Sequence, residues 1–444
     1  MTAGRESPAD GKRLGEQMSK KTRGVVALVA LCALSLFLLD CGSTVNRSSG
    51  LLYVLIQGSS DVSSYSINLN SGNLSLINSN ASTCATASCG FPLDIILEPT
   101  GATAFVLNQG TFNPSSSGNP VAPSIYGYTV NSDGSLAKGA DVTPQSAFIA
   151  GDLAVAMARD AGGKFLFVVS QGITPEPTTC NATPAPAGCP QLYVFTTQPG
   201  STSLSLASQR SLSRVPTGVA VVAGPTSTLL LYLTSNQDLV VGRNDDNTLS
   251  EYSVDASGKL TEYTDPNTGL PYTTPGNPSA VLALTTVPIG GSGGLFVYVT
   301  SMATNSVNAF QVCTIESANC ATQDVAIFRL LPVGTPANAG SGPVAMVVDP
   351  TSQFLFVASK TSSQVFGFRI NATQGTLSGL SPANMNTGSQ PIALALHSTG
   401  KFLFVSNNGS SNISSFNVDT TSGAMSSPIT ITTSNAQPAG LVSK

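Results

Sequence analysis

Tryptophan is absent from this 444-residue chain, histidine occurs once, and charged residues make up only 9% of it. A Ser-His-Asp triad or a histidine-ligated metal centre would rest on His397 alone, which argues against both. Basic residues are few: the formal net charge is −4, and beyond residue 40 there are 13 basic side chains against 19 acidic ones. Phosphate binding needs clustered Lys and Arg, so nucleic acid is not an expected partner. Long apolar runs are scarce as well. The uncharged run at residues 24–39 is shorter than the about 20 residues a membrane-spanning helix needs. What the chain has in quantity is Gly (42), Pro (28), Ser, Thr and Asn, the profile of many short strands joined by turns. A hydrophobic fraction of 41% is ample for a large core and excludes global disorder.

Lys20, Lys21 and Arg23 precede that uncharged run, and Asp40 and Cys41 follow it, which is the layout of an export signal. Met18 is its expected start. The string Leu38-Leu39-Asp40-Cys41-Gly42-Ser43 resembles the lipobox of bacterial lipoproteins, which implies lipidation at Cys41 and attachment to a membrane through the lipid. Asp40 stands where that motif has a small residue, and ordinary secretion with Cys41 incidental is the other reading. The expected organisation is an export signal over residues 1–41, a polar tether over 42–50, and a folded body over 51–444. Six further cysteines fall into three close pairs, Cys84 with Cys89, Cys180 with Cys189, and Cys313 with Cys320. In an oxidising compartment these read as local disulfides stiffening loop insertions. None has the two-residue spacing of a zinc site, and no metal is expected.

The C-terminal third repeats visibly. Gly342-Pro343-Val344-Ala345-Met346-Val347-Val348-Asp349 leads to Phe354-Leu355-Phe356-Val357, then to residues 364–370 and Gly375-Thr376-Leu377. The next copy runs Gln390-Pro391-Ile392-Ala393-Leu394-Ala395-Leu396-His397, Lys401-Phe402-Leu403-Phe404-Val405, residues 412–418 and Gly423-Ala424-Met425. Each copy holds four short apolar or alternating runs between turn residues, a four-stranded antiparallel meander. The same order recurs upstream from residues 92, 154, 216 and 278, which makes six full units. The body opens at Leu51-Leu52-Tyr53-Val54, a second strand, and closes at residues 437–442, a first strand with nothing after it. Joined, these fragments complete a seventh unit and remove the open sheet edge. The expected fold is all-β: a seven-bladed β-propeller of four-stranded antiparallel blades, the first blade closed by the C-terminal strand.

The Gly-Pro, the apolar strand, the Asp or His before a Gly turn, and Lys-Phe-Leu-Phe-Val-Ser-Asn resemble the lactonase family of seven-bladed propellers, the group of 6-phosphogluconolactonase, and related surface-layer Tyr-Val-Thr-Asn repeats. The resemblance covers residues 51–442. It implies architecture strongly and activity weakly, because one fold hosts many functions. In that family's enzymes the first strand often carries Arg and His after its Pro, facing a central channel. Here Val344 and Ala345, and Ile392 and Ala393, hold those places.

Comparing the seven first strands with one another gives a column two residues after the Pro or its equivalent: Asp94, Ala156, Gly218, Ala280, Ala345, Ala393 and Gly440. Small residues there are expected from crowding around the axis, and Asp94 is the exception. It is expected to project into the channel or its mouth, as a general base or ligand contact, or as a hydrogen-bonded acid at the entrance. Arg159 stands at a strand end where other copies carry Leu97, Val348 and Leu396. It could clamp a carboxylate or phosphate beside Asp94, or pair with Asp160 or another turn acid. Glu98 completes the candidate catalytic set. His397 occupies the strand-end place of Glu98, Asp160 and Asp349 and is expected to hold its hairpin through turn amides. Residues 244–247 read as a solvated hairpin tip, and the glycine-rich 289–294 as a flexible turn with no phosphate cradle.

Three functions fit: a monomeric, exported envelope propeller binding a glycan, a peptide, a small molecule or another envelope protein; a sugar-lactone hydrolase or lactone isomerase working in the channel; and a structural surface or adhesion element. None calls for a cofactor. Convergence of Asp94, Arg159 and Glu98 would favour the enzyme.

Overall fold

The computed structural model describes residues 49–83, 91–111, 120–142, 147–173, 180, 188–224, 228–238, 247–286, 293–314, 320, 328–433 and 437–444. The expectations for the export signal, Cys41 and the tether up to residue 48 lie outside these residues, as do Cys84 with Cys89, residues 244–246 and residues 289–292. Residues from Ser49 to Lys444 form one compact unit.

The chain opens with β1 (Ser49–Ile56), β2 (Asp61–Asn68) and β3 (Leu74–Ser82). The second blade is β4 (Pro92–Leu97), β5 (Thr103–Asn108), β6 (Ser124–Val130) and β7 (Leu136–Asp141), and the third is β8 (Asp152–Arg159), β9 (Phe165–Ile173), β10 (Gln191–Thr196) and β11 (Ser205–Ser211). The fourth is β12 (Arg214–Ala223), β13 (Leu229–Asp238), β14 (Thr248–Val254), β15 (Leu260–Tyr263) and the short β16 (Tyr272–Thr273). The fifth is β17 (Pro278–Thr285), β18 (Leu295–Ser301), β19 (Ser306–Val312) and β20 (Leu330–Asn338). The sixth is β21 (Pro343–Val348), β22 (Phe354–Ser359), β23 (Gln364–Ile370) and β24 (Leu377–Asn386); the seventh is β25 (Pro391–Leu396), β26 (Phe402–Asn407), β27 (Asn412–Asn417) and β28 (Ile429–Thr432). Last comes β29 (Pro438–Ser443), which pairs with β1, so the sheet order β29-β1-β2-β3 closes the first blade as the terminal fragments demand. One blade departs from four strands. In the fourth, β15 covers only part of β14, and β16 pairs with the rest of it at Thr248 and Leu249.

Alternation decides where each side chain goes, because successive residues of a strand face opposite sides of its sheet. In β1, Tyr53 and Leu55 pack against the second blade while Leu52, Val54 and Ile56 pack against the seventh. The same division produces seven apolar clusters, one at each blade junction. The core is therefore a ring of wedges between blades, and the second strands, buried on both faces, are its densest part. Innermost strands touch in the cycle β29, β4, β8, β12, β17, β21, β25 and back to β29, which closes the ring. Turn glycines lock neighbours together: Gly72, Gly134, Gly258, Gly375 and Gly423 sit against Phe402, Leu51, Phe165, Phe296 and Phe354 of the preceding blade. Tyr53 and Tyr298 extend this contact by donating their hydroxyls to the carbonyls of Gly134 and Gly375 at 3.0 and 2.9 Å.

Candidate functional site

Each innermost strand pairs on one side only, so its other edge turns N–H and C=O groups toward the axis. The pairing slips in all seven: Pro343 faces Ser359 and Ala345 faces Ala358, leaving Val344 as the extra residue, and similar shifts occur in β4, β8, β12, β17, β25 and β29. A bulge lets consecutive residues border one space, which strict alternation forbids. The result is a central channel of about 400 Å³.

All seven residues of the column two after the Pro line this channel: Asp94, Ala156, Gly218, Ala280, Ala345, Ala393 and Gly440. Crowding is visible at Gly440, where a Cβ would lie 3.0 Å from the Leu93 carbonyl oxygen and 3.2 Å from the Asp94 Cα. Val344 and Ile392 line it too, so the positions occupied by Arg and His in the enzymes face the channel here with aliphatic groups. Two polar residues missed by the sequence reading, Thr217 and Ser279, stand directly after the Pro, a column that was open to the same comparison. Both are engaged: the Thr217 hydroxyl donates to Thr234 Oγ1 at 3.0 Å and Ser279 Oγ to the Pro343 carbonyl at 2.5 Å. Gln57 joins from the end of β1, held by Asn408 Nδ2 at 3.3 Å, and no repeat column signals it.

Asp94 is the single ionisable side chain among the described residues lining the channel. Its Oδ1 accepts the amide of Ile95 at 2.8 Å and its Oδ2 accepts the amide of Met157, on the neighbouring blade, at 3.3 Å. Burial pushes its carboxyl up to about 6, against the pull of those two amides. A carboxyl of that strength changes charge close to neutrality and keeps spare acceptor capacity on each oxygen.

Arg159 and Glu98 are not part of the lining. Glu98 lies four residues beyond Asp94, about 13 Å along an extended strand. It caps its own turn, its Oε2 accepting the hydroxyls of Thr100 at 2.9 Å and Thr103 at 3.2 Å. Asp160, Asp349 and His397 hold the equivalent turns, Asp349 Oδ1 accepting the amides of Gln353 and Phe354 at 2.6 Å each. His397 Nδ1 lies 2.8 Å from Thr399 Oγ1 and accepts the Thr399 amide at 3.2 Å, and burial lowers its pKa. The hairpin-holding reading of these residues stands. The expected ion pair of Arg159 with Asp160 does not form. Asp160 Oδ1 is occupied by the Phe165 amide at 2.5 Å, and Arg159 Nε and Nη1 are buried without a hydrogen-bond acceptor. Burial pulls the guanidinium down from its usual value, while the charges of Asp160 and Glu98 hold it up from a distance. The disulfides Cys180–Cys189 and Cys313–Cys320 are closed, with Cα atoms 5.5 and 5.6 Å apart.

Residues 291–436 match the family described as Lactonase, 7-bladed beta-propeller. No curated protein matches the chain by sequence. Among solved structures it is similar to the periplasmic gluconolactonase PpgL of Pseudomonas aeruginosa, at 17% identity and a TM-score of 0.63, covering 89% of this chain and 98% of that one. It is also similar to a protein of Bacteroides fragilis provisionally described as a 6-phosphogluconolactonase, at 15% identity and a TM-score of 0.61, covering 90% and 99%. At these identities the likeness establishes the seven-bladed fold.

Proposed function

We propose that the protein is an exported, monomeric binding propeller whose central channel holds a small molecule without turning it over. The observation that carries this reading is the channel lining, in which Asp94 is the single ionisable side chain among the described residues. Lactone hydrolysis needs a base to activate water and a second group to stabilise the developing oxyanion or protonate the leaving oxygen. Arg159 and Glu98, the candidates for that second role, belong to the turns at the strand ends. A phosphorylated sugar lactone would also meet no cation among the described residues of the lining. Export is supported by two closed disulfides, by the charged and apolar segments before Cys41, and by the periplasmic origin of one structural relative. Lipid attachment at Cys41 is part of the proposal.

The second reading is a lactonase with Asp94 as general base, favoured by the family match and by a carboxyl poised near 6. Hydrolysis of gluconolactone and 6-phosphogluconolactone, followed by pH-stat for the wild type and Asp94→Ala, separates the two. Turnover at the buffer rate is expected for both proteins. Wild-type turnover that disappears in the variant would overturn the binding reading.

A further inference from the structure

The channel has a charge as well as a shape. Its walls are seven strand edges, which present backbone N–H and C=O groups, and small or aliphatic side chains, among them Ala156, Ala280, Val344 and Ile392. Against this neutral lining Asp94 contributes one negative charge. Asp94 sits on β4, against which β1, β5, β8 and β29 pack, and the one titratable residue of β1, Tyr53, has its hydroxyl on the Gly134 carbonyl. From β5 its pairing partner is Leu107, from β8 it meets the Met157 amide, and from β29 it meets Gly440. The remaining titratable residues of β4 and β8 and their ends, Glu98, Asp152, Arg159 and Asp160, are outside the lining. Asp152 Oδ1 accepts the amides of Leu153 and Gly172, at 2.8 and 2.9 Å. No positive group among the described residues faces Asp94 from any of these elements.

A carboxylate partly withdrawn from water, as half-buried Asp94 is, costs stability unless a countercharge offsets the loss. Two amides satisfy part of its acceptor capacity and leave one lone pair on each oxygen for a further donor. We propose that the channel selects a small organic cation, an ammonium carried on an apolar body, whose charge meets Asp94 while its body lies against the aliphatic side chains of the wall. This rests on the reading of the channel as a binding site. A bare divalent ion is the wrong guest, because Ca²⁺ takes six to eight oxygen ligands, several of them carboxylates, and the described residues of the lining offer one carboxylate. An anion of the same size would meet only like charge. A volume of about 400 Å³ suits a single aromatic or short aliphatic amine.

The test is isothermal titration of the protein with three molecules of one shape: phenylbutylammonium, phenylbutanol and phenylbutyrate. At pH 7.5 the ammonium is expected to bind at least about ten-fold tighter than the alcohol, with the carboxylate weakest. Since Asp94 titrates near 6, the ammonium's affinity is expected to fall about ten-fold by pH 5 while the alcohol's stays level. Asp94→Asn should abolish the preference. Because that change also disturbs the Ile95 and Met157 amides, Ala345→Lys, placing an ammonium on the far side of the ring with Asp94 intact, provides a second variant and should give the same loss. Equal binding of ammonium and alcohol would leave a binding channel and overturn the charge selection. Undiminished ammonium binding in both variants would place the ligand elsewhere and overturn the inference. Binding of none of the three overturns it too, and the pH-stat assay then decides separately whether the channel is catalytic.

Discussion

The junction between the fifth and sixth blades gives a quantitative test of how the ring is held. Gly375, in the turn between β23 and β24, has φ of +70°, and a Cβ added there would lie 2.2 Å from Phe296 Cδ1 of β18. Phe296 is fully buried. Gly200 in the third blade has nearly the same backbone, φ of +72°, with nothing within 4 Å of the Cβ position. Alanine at either site incurs the left-handed backbone strain of about 1–2 kcal/mol. At Gly375 it also displaces Phe296, which adds about 1–3 kcal/mol of overpacking. Gly375→Ala should therefore lose about 2–5 kcal/mol and Gly200→Ala about 1–2. Unfolding entropy for a cooperative unit of this size is about 0.8 kcal/mol/K, so the clash separates the two melting temperatures by about 1–4 °C. Scanning calorimetry and urea midpoints on both variants measure it. Equal losses would refute the claim that glycine is required at Gly375 for blade contact rather than for backbone conformation.

Other outcomes follow from buried groups. Glu251 on β14 is fully buried, accepts the Tyr232 hydroxyl at 3.0 Å, and has its pKa raised well above the ordinary value by burial. The folded state then holds a proton that the unfolded state releases above about 4.3, so stability falls by up to about 1.4 kcal/mol per pH unit from there to the folded pKa. Glu251→Gln should be more stable than the wild type at pH 9, with the gap narrowing toward pH 5 in urea titrations; parallel pH profiles would count against a neutral Glu251. Removing the Cys180–Cys189 bridge with paired serine substitutions opens a loop of nine-residue separation and should cost about 2–3 kcal/mol, read from the shift in urea midpoint.

Much of the architecture was legible because it is written locally. The continuous apolar run Phe354-Leu355-Phe356-Val357, the turn residues after each run, and the complementary fragments at the two ends are short-range signals that each specify a strand, a hairpin or a missing partner. The column ending in Gly440 was legible for the same reason, since a ring of seven equivalent strands imposes one steric rule on equivalent positions. Spacing along the chain carried the reading as far as Asp94 in the channel.

Contacts between blades were decided by the tertiary structure. Met157 reaches Asp94 from 63 residues away, and which side of a bulged strand a side chain takes depends on a pairing slip that no pattern in β4 announces. Arg159 looked like a companion for Asp94 because both break their columns, yet in the closed ring its strand-end place lies outside the channel lining, where Asp160 already serves the Phe165 amide. A sequence states which residues occupy equivalent places in the repeat. Only the closed ring determines which of them meet, because the charge, burial and hydrogen bonds of each are set by the neighbouring blade.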